Sequence, residues 1–369
     1  MDGETLQNIE NLKNDQDASL LLELTKICQA VEIASPEEVS FAGRLIPELD
    51  PTTQAQLAAT QIQLAQSQNP LVPRLQYQLY LYCYCQKFAG TFPEASGTHG
   101  WYNQSLQSFS QNLIDELSAA NAGRDRWDTG WQIARIDSSG QALAQKSSLN
   151  RLLWPGQFIN QDGPGLPLRP GSNIRIFLPR ESRTMQPGFY FAFGETLTGD
   201  RDNRNLVRFY WNIAIAGVTT LVRVLTQSLN RFQVPFRFKC WTGGAGFARS
   251  DAAVLYVNKR FYQIVAALIA DFYPLVRSHL KPETPLFTKK LAPGLSLAED
   301  PNNGESFGLN RCRLVAEGLW NAYTQKIQAE EERLNVVIQQ FKQENISLER
   351  PYLSPGSVDR YDFSIDSGS

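Results

Sequence analysis

Between Phe287 and Arg313 the chain reads FTKKLAPGLSLAEDPNNGESFGLNRCR, and this stretch concentrates groups that hold anions. Lys289 and Lys290 precede a Pro-Gly turn and an acidic run. Ser306 is placed to cap a helix whose first turns carry Arg311 and Arg313. Backbone N–H groups at a helix start attract negative charge, and an arginine there adds paired donors. One of Glu299, Asp300 or Glu305 can orient an arginine by ion pairing. A plain helix cap with surface ion pairs uses the same residue types, so a second element has to decide between the two.

That second element is Val234–Trp241, VPFRFKCW. Side chains alternate across a strand, so Phe236, Phe238 and Cys240 face the core while Arg237, Lys239 and Trp241 share the other side. Same-face neighbours lie about 6.5 to 7 Å apart. Two cations that close repel each other and favour an anion, and a lysine so placed can lose its proton and act as a base. The solvated face of an edge strand is the alternative. The following loop supplies Arg249 and Asp251. Its glycines, Gly243, Gly244 and Gly246, fit neither a phosphate-binding P-loop nor a dinucleotide fingerprint and read as a hairpin turn.

Several elements must position these groups. Residues 1 to about 125 read as a helical region. Leu20 to Leu24 start one apolar face, and Leu45 follows in a separate short segment. Helical patterns then cover Thr52–Gln68, a stretch opened by Pro73, and Ser105–Ala119. From Trp127 the texture becomes β-rich, with strands in Trp131–Lys146, Asn173–Leu178 and Phe189–Gly194 around a Gly/Pro-rich loop. Residues 204–230 read as one long helix, followed by strands Phe236–Trp241 and Ala252–Val257 and a helix over about Arg260–Leu280. A last helix runs from near Leu309 to Gln343, and residues 346–369 read as a mobile tail. The expected fold class is α+β or α/β, a mixed sheet flanked by helices with the helical N-terminal region packed against it.

A chain of 369 residues and net charge -2 can bury a large core and argues against bulk electrostatic binding of nucleic acid. The N-terminal MDGETLQNIENLKNDQD has no signal-peptide layout. The apolar run Phe209–Val222, bounded by Arg208 and Arg223, is too short to span a bilayer. Cys28, Cys83, Cys85, Cys240 and Cys312 are scattered and odd in number, which fits reduced thiols and a cytoplasmic location. With only His99 and His279 besides, no Cys/His metal site is expected.

FYFAFGE (Phe189–Glu195), RFYWN (Arg208–Asn212), VPFRFK (Val234–Lys239), RSDAAVLYV (Arg249–Val257) and, above all, FTKKLAPGLSLAED with GESFGLNRCRLVAEGL carry a resemblance. Residues from about Trp127 to Trp320 resemble the HopA-type effector family, a domain also found in the lyase components of class V lanthipeptide and thioamitide biosynthesis. The N-terminal third carries no matching motif. The resemblance implies a HopA-like domain over 126–345. It also implies β-elimination of phosphate from phosphoserine or phosphothreonine in a ribosomally made precursor peptide, which a separate kinase phosphorylates.

Under that reading Lys239 is the leading base. Arg237, Arg249, Lys289, Arg311 and Arg313 are the phosphate-binding candidates. Tyr210 or Tyr256 supplies a proton or hydrogen bond, and Asp251 and Glu305 orient the arginines. The resemblance also implies that many relatives carry a histidine where this chain has Asn310. No metal or redox cofactor is needed, and the expected partners are the phosphorylated peptide and a kinase, with no nucleic acid and no membrane. The alternatives are a non-catalytic phosphopeptide- or protein-binding protein and, for location, a type III secreted effector.

Overall fold

The computed structural model describes residues 15–49, 51, 69–91, 110–163, 165–199, 202 and 204–365. Among these, seven helices and three antiparallel sheets form an α+β fold. The helical pattern of Thr52–Gln68 and the first residues of Ser105–Ala119 lie outside the described residues.

In the N-terminal region, helix α1 (Asp15–Ala30) buries Leu20, Leu24, Ile27 and Cys28 and leads into a small sheet of β1 (Val31–Ile33), β2 (Val39–Phe41) and β3 (Arg44–Leu45). Helix α2 (Leu71–Leu79) carries Pro73 in its first turn, where no N–H is needed. It runs on into a π turn, Tyr80–Tyr84, whose five side chains are all buried. Helix α3 (Gln111–Ala120) is capped by Ser110, whose hydroxyl accepts from the Leu113 N–H at 3.3 Å.

Next comes a five-stranded unit of β4 (Arg126–Ile136), β5 (Ala142–Lys146), β6 (Leu149–Leu153), β7 (Phe158–Asn160) and β8 (Asn173–Leu178), in spatial order β6-β5-β4-β8-β7. Its inner face, with Trp131, Ile133, Ala144, Ile174 and Ile176, forms a hydrophobic cluster of its own.

The central sheet comprises β9 (Glu181–Ser182), β10 (Phe189–Phe193), β11 (Leu206–Trp211), β12 (Arg237–Trp241), β13 (Ala253–Asn258), β14 (Lys289–Ala292) and β15 (Leu295–Glu299), in order β14-β15-β11-β13-β12-β10-β9. Every described pair is antiparallel, so the sheet is not the mixed one expected. Helices α4 (Ile215–Arg231) and α5 (Tyr262–Val276) cover one face, where Phe209 stacks on Tyr262 at 6.0 Å and Trp211 on Phe272 at 5.9 Å. The π turn and helix α6 (Phe307–Thr324) cover the other, with Tyr210 6.4 Å from both Tyr84 and Phe307.

Three further expectations differ from the structure. Residues 204–230 are not one helix: Leu206–Trp211 is strand β11, and α4 starts only at Ile215. A central strand buried on both faces reads as a continuous apolar run, which periodicity cannot tell from a buried helix. The last helix is two, α6 and α7 (Glu330–Gln343), separated by a turn in which Lys326 adopts φ 59. The 346–369 tail is docked through residue 365, with Tyr352, Leu353 and Tyr361 buried. Composition registers its Ser, Asp and Pro but not these three anchors.

Candidate functional site

Strand β12 lies between β10 and β13 rather than at an edge. Its alternation is the expected one: Phe238 and Cys240 are buried on the α4/α5 side, and Arg237, Lys239 and Trp241 point the other way. The register then extends this row across the sheet. Tyr256 on β13 stands opposite Arg237 on one side and opposite Arg208 of β11 on the other. Directly opposed residues share a face, so one phenol sits between two guanidinium groups. Lys239 is one pleat along, opposite Val254, which in turn faces Tyr210.

Three cations therefore converge on Tyr256. The Arg237 guanidinium carbon lies 4.6 Å from the ring centre, that of Arg208 5.5 Å, and the Lys239 ammonium 6.0 Å. Burial alone would raise the pKa of this phenol. The charges of Lys239, Arg208 and Arg237, with a hydrogen bond from Lys239, outweigh it and hold the pKa below the usual tyrosine value. Lys239 also packs 4.5 Å from the Phe189 ring centre and reaches the Gln186 side-chain oxygen at 3.4 Å. Arg208 is buried and anchored by Asp300, whose carboxylate accepts from its Nε at 2.9 Å. Arg237 is exposed, and among the described residues it is in no ion pair.

The start of α6 closes over this face. Ser306 caps it as the sequence implies, its hydroxyl accepting from the Leu309 N–H at 3.3 Å. The preceding Glu305 carbonyl accepts from Arg208 at 3.5 Å, which brings the positive end of the helix beside the cation row. Asn310 donates to the Glu305 carboxylate at 2.7 Å and accepts from Arg311. The Tyr210 hydroxyl is buried on this face beside the Tyr84 phenol.

The structure thus gathers Arg237, Lys239 and Tyr256, with Tyr210 alongside, and engages the other predicted cations with partners of their own. Arg249 is buried, donating to both Asp251 oxygens (2.6 and 2.8 Å) and to the Tyr80 hydroxyl at 2.8 Å. Lys289 is on the opposite face of the sheet and pairs with Asp359 of the tail at 2.8 Å. Arg313 is held between Glu305 at 3.1 Å and Glu317 at 2.9 Å. Arg311 is buried and donates to the carbonyls of Pro351 and Leu353, both at 2.8 Å. Burial pushes its pKa down to about 10, which still leaves it charged at neutral pH. The Phe287–Arg313 segment therefore uses these cations for internal ties. Gly246 likewise meets the Trp241 ring, where a Cβ would collide, so packing accounts for this glycine.

Arg208 is the residue that the sequence reading missed as a site group. Its signal was its place two residues before Tyr210, which puts both on one face of a strand. The helical reading of 204–230 concealed that parity. Among the described residues no cluster of three or more His, Cys, Asp or Glu is placed to hold a metal ion, and no helix is long and apolar enough to cross a membrane.

Fold and site together define an α+β domain whose antiparallel central sheet presents a tyrosine ringed by cations. Residues 180–353 match the model of the HopA1 effector protein family, so over this segment the chain resembles that family, as its motifs imply. The matched segment contains Arg208, Arg237, Lys239 and Tyr256. Among solved structures, the chain is similar to the effector protein from Pseudomonas syringae pv. tomato strain DC3000, at 15% identity over 72% of this chain and 93% of that one, with a TM-score of 0.39. It is also similar to the effector protein from Pseudomonas syringae pv. syringae strain 61, at 13% identity over 82% and 98%, again with a TM-score of 0.39. A search of the curated proteins returned no match.

Proposed function

We propose that this site is a lyase site that removes phosphate from phosphoserine or phosphothreonine in a peptide, with Tyr256 as the base. The observation that carries the reading is the convergence of Arg208, Arg237 and Lys239 on one acidified phenol. Elimination needs these two things at once, a base for a weakly acidic α-proton and positive charge for the departing phosphate. The Tyr256 phenolate takes the α-proton, the Cα electron pair forms the Cα=Cβ bond, and the Cβ–O bond breaks. The phosphate leaves with that bond's electrons onto Arg237 and Lys239. The product is a dehydroalanine or dehydrobutyrine residue. Lys239, the base expected from the sequence, becomes the group that keeps the phenol ionisable, and Arg208, tied to Asp300, holds the ring from the other side.

Phosphate dianion is a competent leaving group, so Asn310 in place of a histidine does not block this chemistry. The phosphorylated peptide and the kinase that makes it are the partners under this reading. Incubation with a synthetic phosphothreonine peptide should give a product lighter by one phosphoric acid in the mass spectrum. Arg237→Ala should weaken peptide binding, whereas Tyr256→Phe should bind and fail to turn over. Salt-sensitive binding by the wild type with the peptide left intact would instead support a non-catalytic phosphopeptide-binding protein.

A further inference from the structure

Outside the family-matched segment, the five-stranded unit differs in charge from the rest of the protein. Between Arg126 and Leu178 it carries six basic residues (Arg126, Arg135, Lys146, Arg151, Arg169 and Arg175) against three acidic ones, in a chain of net charge -2. All three carboxylates are engaged locally. Asp128 accepts from Lys146 at 2.8 Å, Asp137 from the Ser139 N–H at 2.9 Å, and Asp162 from the Asn173 amide at 2.8 Å. Among the described residues none of the five arginines is ion-paired. Burial lowers the pKa of Arg151; the Asp128 carboxylate opposes that and Arg126 adds to it, and the net shift stays downward, so a further anion there would favour the charged form.

The same unit exposes apolar surface. Trp127 stands opposite Phe177 on the face away from the core, their rings 5.4 Å apart, with the Arg175 guanidinium 4.9 Å from the Trp127 ring. Leu152 is 57% exposed. A cavity of about 380 Å³ opens between β6 and β8, walled by Arg151, Leu152, Gln157, Phe177, Leu178 and Thr198. Strand β6 is the edge of its sheet, and an edge strand offers unpaired backbone groups to an incoming chain. Along it Arg151 and Leu152 point to opposite sides.

We infer that β6 and the adjoining cavity dock an extended peptide segment in which acidic and aliphatic residues alternate. Added alongside β6, such a segment sets a carboxylate near Arg151 and an aliphatic side chain against Leu152 and Phe177. A basic partner would be repelled by the excess of arginines, and a purely apolar one would bring no charge to complement them. The docking surface is distinct from the cation-ringed tyrosine, and the inference does not rest on the lyase reading.

The test uses the full chain and fluorescein-labelled short peptides of alternating Glu and Leu or of alternating Lys and Leu, read by fluorescence anisotropy. Wild type should bind the Glu/Leu peptide in preference to the Lys/Leu peptide. Arg151→Glu should reduce Glu/Leu affinity about tenfold or more and raise affinity for Lys/Leu. Leu152→Asp, at an exposed position that folding does not need, should also weaken the Glu/Leu peptide. Equal binding of both peptides, or Glu/Leu affinity unchanged in both variants, would overturn the proposal. Neither outcome bears on mass loss from a phosphothreonine peptide, so the two readings fail separately.

Discussion

Tyr256 owes its chemistry to its neighbours in the register. An ordinary tyrosine ionises near pH 10, and burial without charge would move it higher. Here burial is opposed by Lys239, Arg208 and Arg237, and the net shift is downward. A group whose folded pKa lies below its unfolded value is stabilised by its cations above the unfolded pKa, and that contribution disappears as pH falls through the folded value. The site therefore eases ionisation of the phenol, and elimination should speed up with rising pH and level off above a midpoint that lies below about 10. Tyr256→Phe should lose on the order of 10²- to 10⁴-fold in turnover, the usual contribution of a positioned base, and lose the pH dependence with it. Lys239→Ala should move the midpoint upward while leaving a measurable rate. A midpoint indifferent to Lys239 would show that Tyr256 is not the titrating group.

At the scale of elements, the tail is tied to the fold by contacts of two kinds. Arg311 of α6 holds the Pro351 and Leu353 carbonyls, and Lys289 of β14 holds Asp359, to which the Tyr352 hydroxyl also donates at 2.7 Å. Burial works against the Asp359 carboxylate, but Lys289, Tyr352 and the Tyr361 N–H lower its pKa. Its contribution is thus complete above the unfolded value of about 4 and is lost as pH falls through the lower folded value. Hydrogen exchange over residues 346–365 should quicken in acid, and Asp359→Asn should reproduce that at neutral pH. Arg311→Ala should loosen the tail at every pH, since a guanidinium does not titrate in this range. A tail equally protected in all three cases would refute the assignment. None of this is legible in the sequence, because the tail's composition is that of a solvated segment and its anchors come from elements far away in the chain. What is legible is local: the alternation in β12, the Ser306 cap and strands β4, β5 and β8 of the five-stranded unit each depend on residues within a few positions, whereas β6 and β7 escape the sequence reading. Strand β11 defeats local reading for the opposite reason, since both its faces are buried and no period remains.

For the whole molecule, two hydrophobic clusters of unequal size have to coexist. The larger runs from Leu20 to Tyr361 and unites the N-terminal helices, both faces of the central sheet and the tail. The smaller comprises eight buried residues of β4, β5, β6 and β8, centred on Trp131, with partly buried neighbours such as Phe158 and Leu197. Opening free energies follow contiguous cooperative units, and the smaller cluster buries far less apolar surface than the larger one. The five-stranded unit should therefore open before the central sheet, even though polar ties such as the Arg180 N–H to Asp125 at 2.8 Å connect its base to the rest. Trp131→Ala removes the largest fully buried side chain of that cluster, and large-to-small core changes of this kind cost about 3–5 kcal/mol. Amides of β4 to β8 should then lose protection from hydrogen exchange together. Those of β11, β12 and β13 should keep theirs, and phosphopeptide binding at Arg237 should be unchanged. Loss of protection spread evenly over both sheets would mean that the clusters unfold as one. The cation-ringed tyrosine and the arginine-rich edge strand would then share a single stability, instead of being two surfaces that can be altered one at a time.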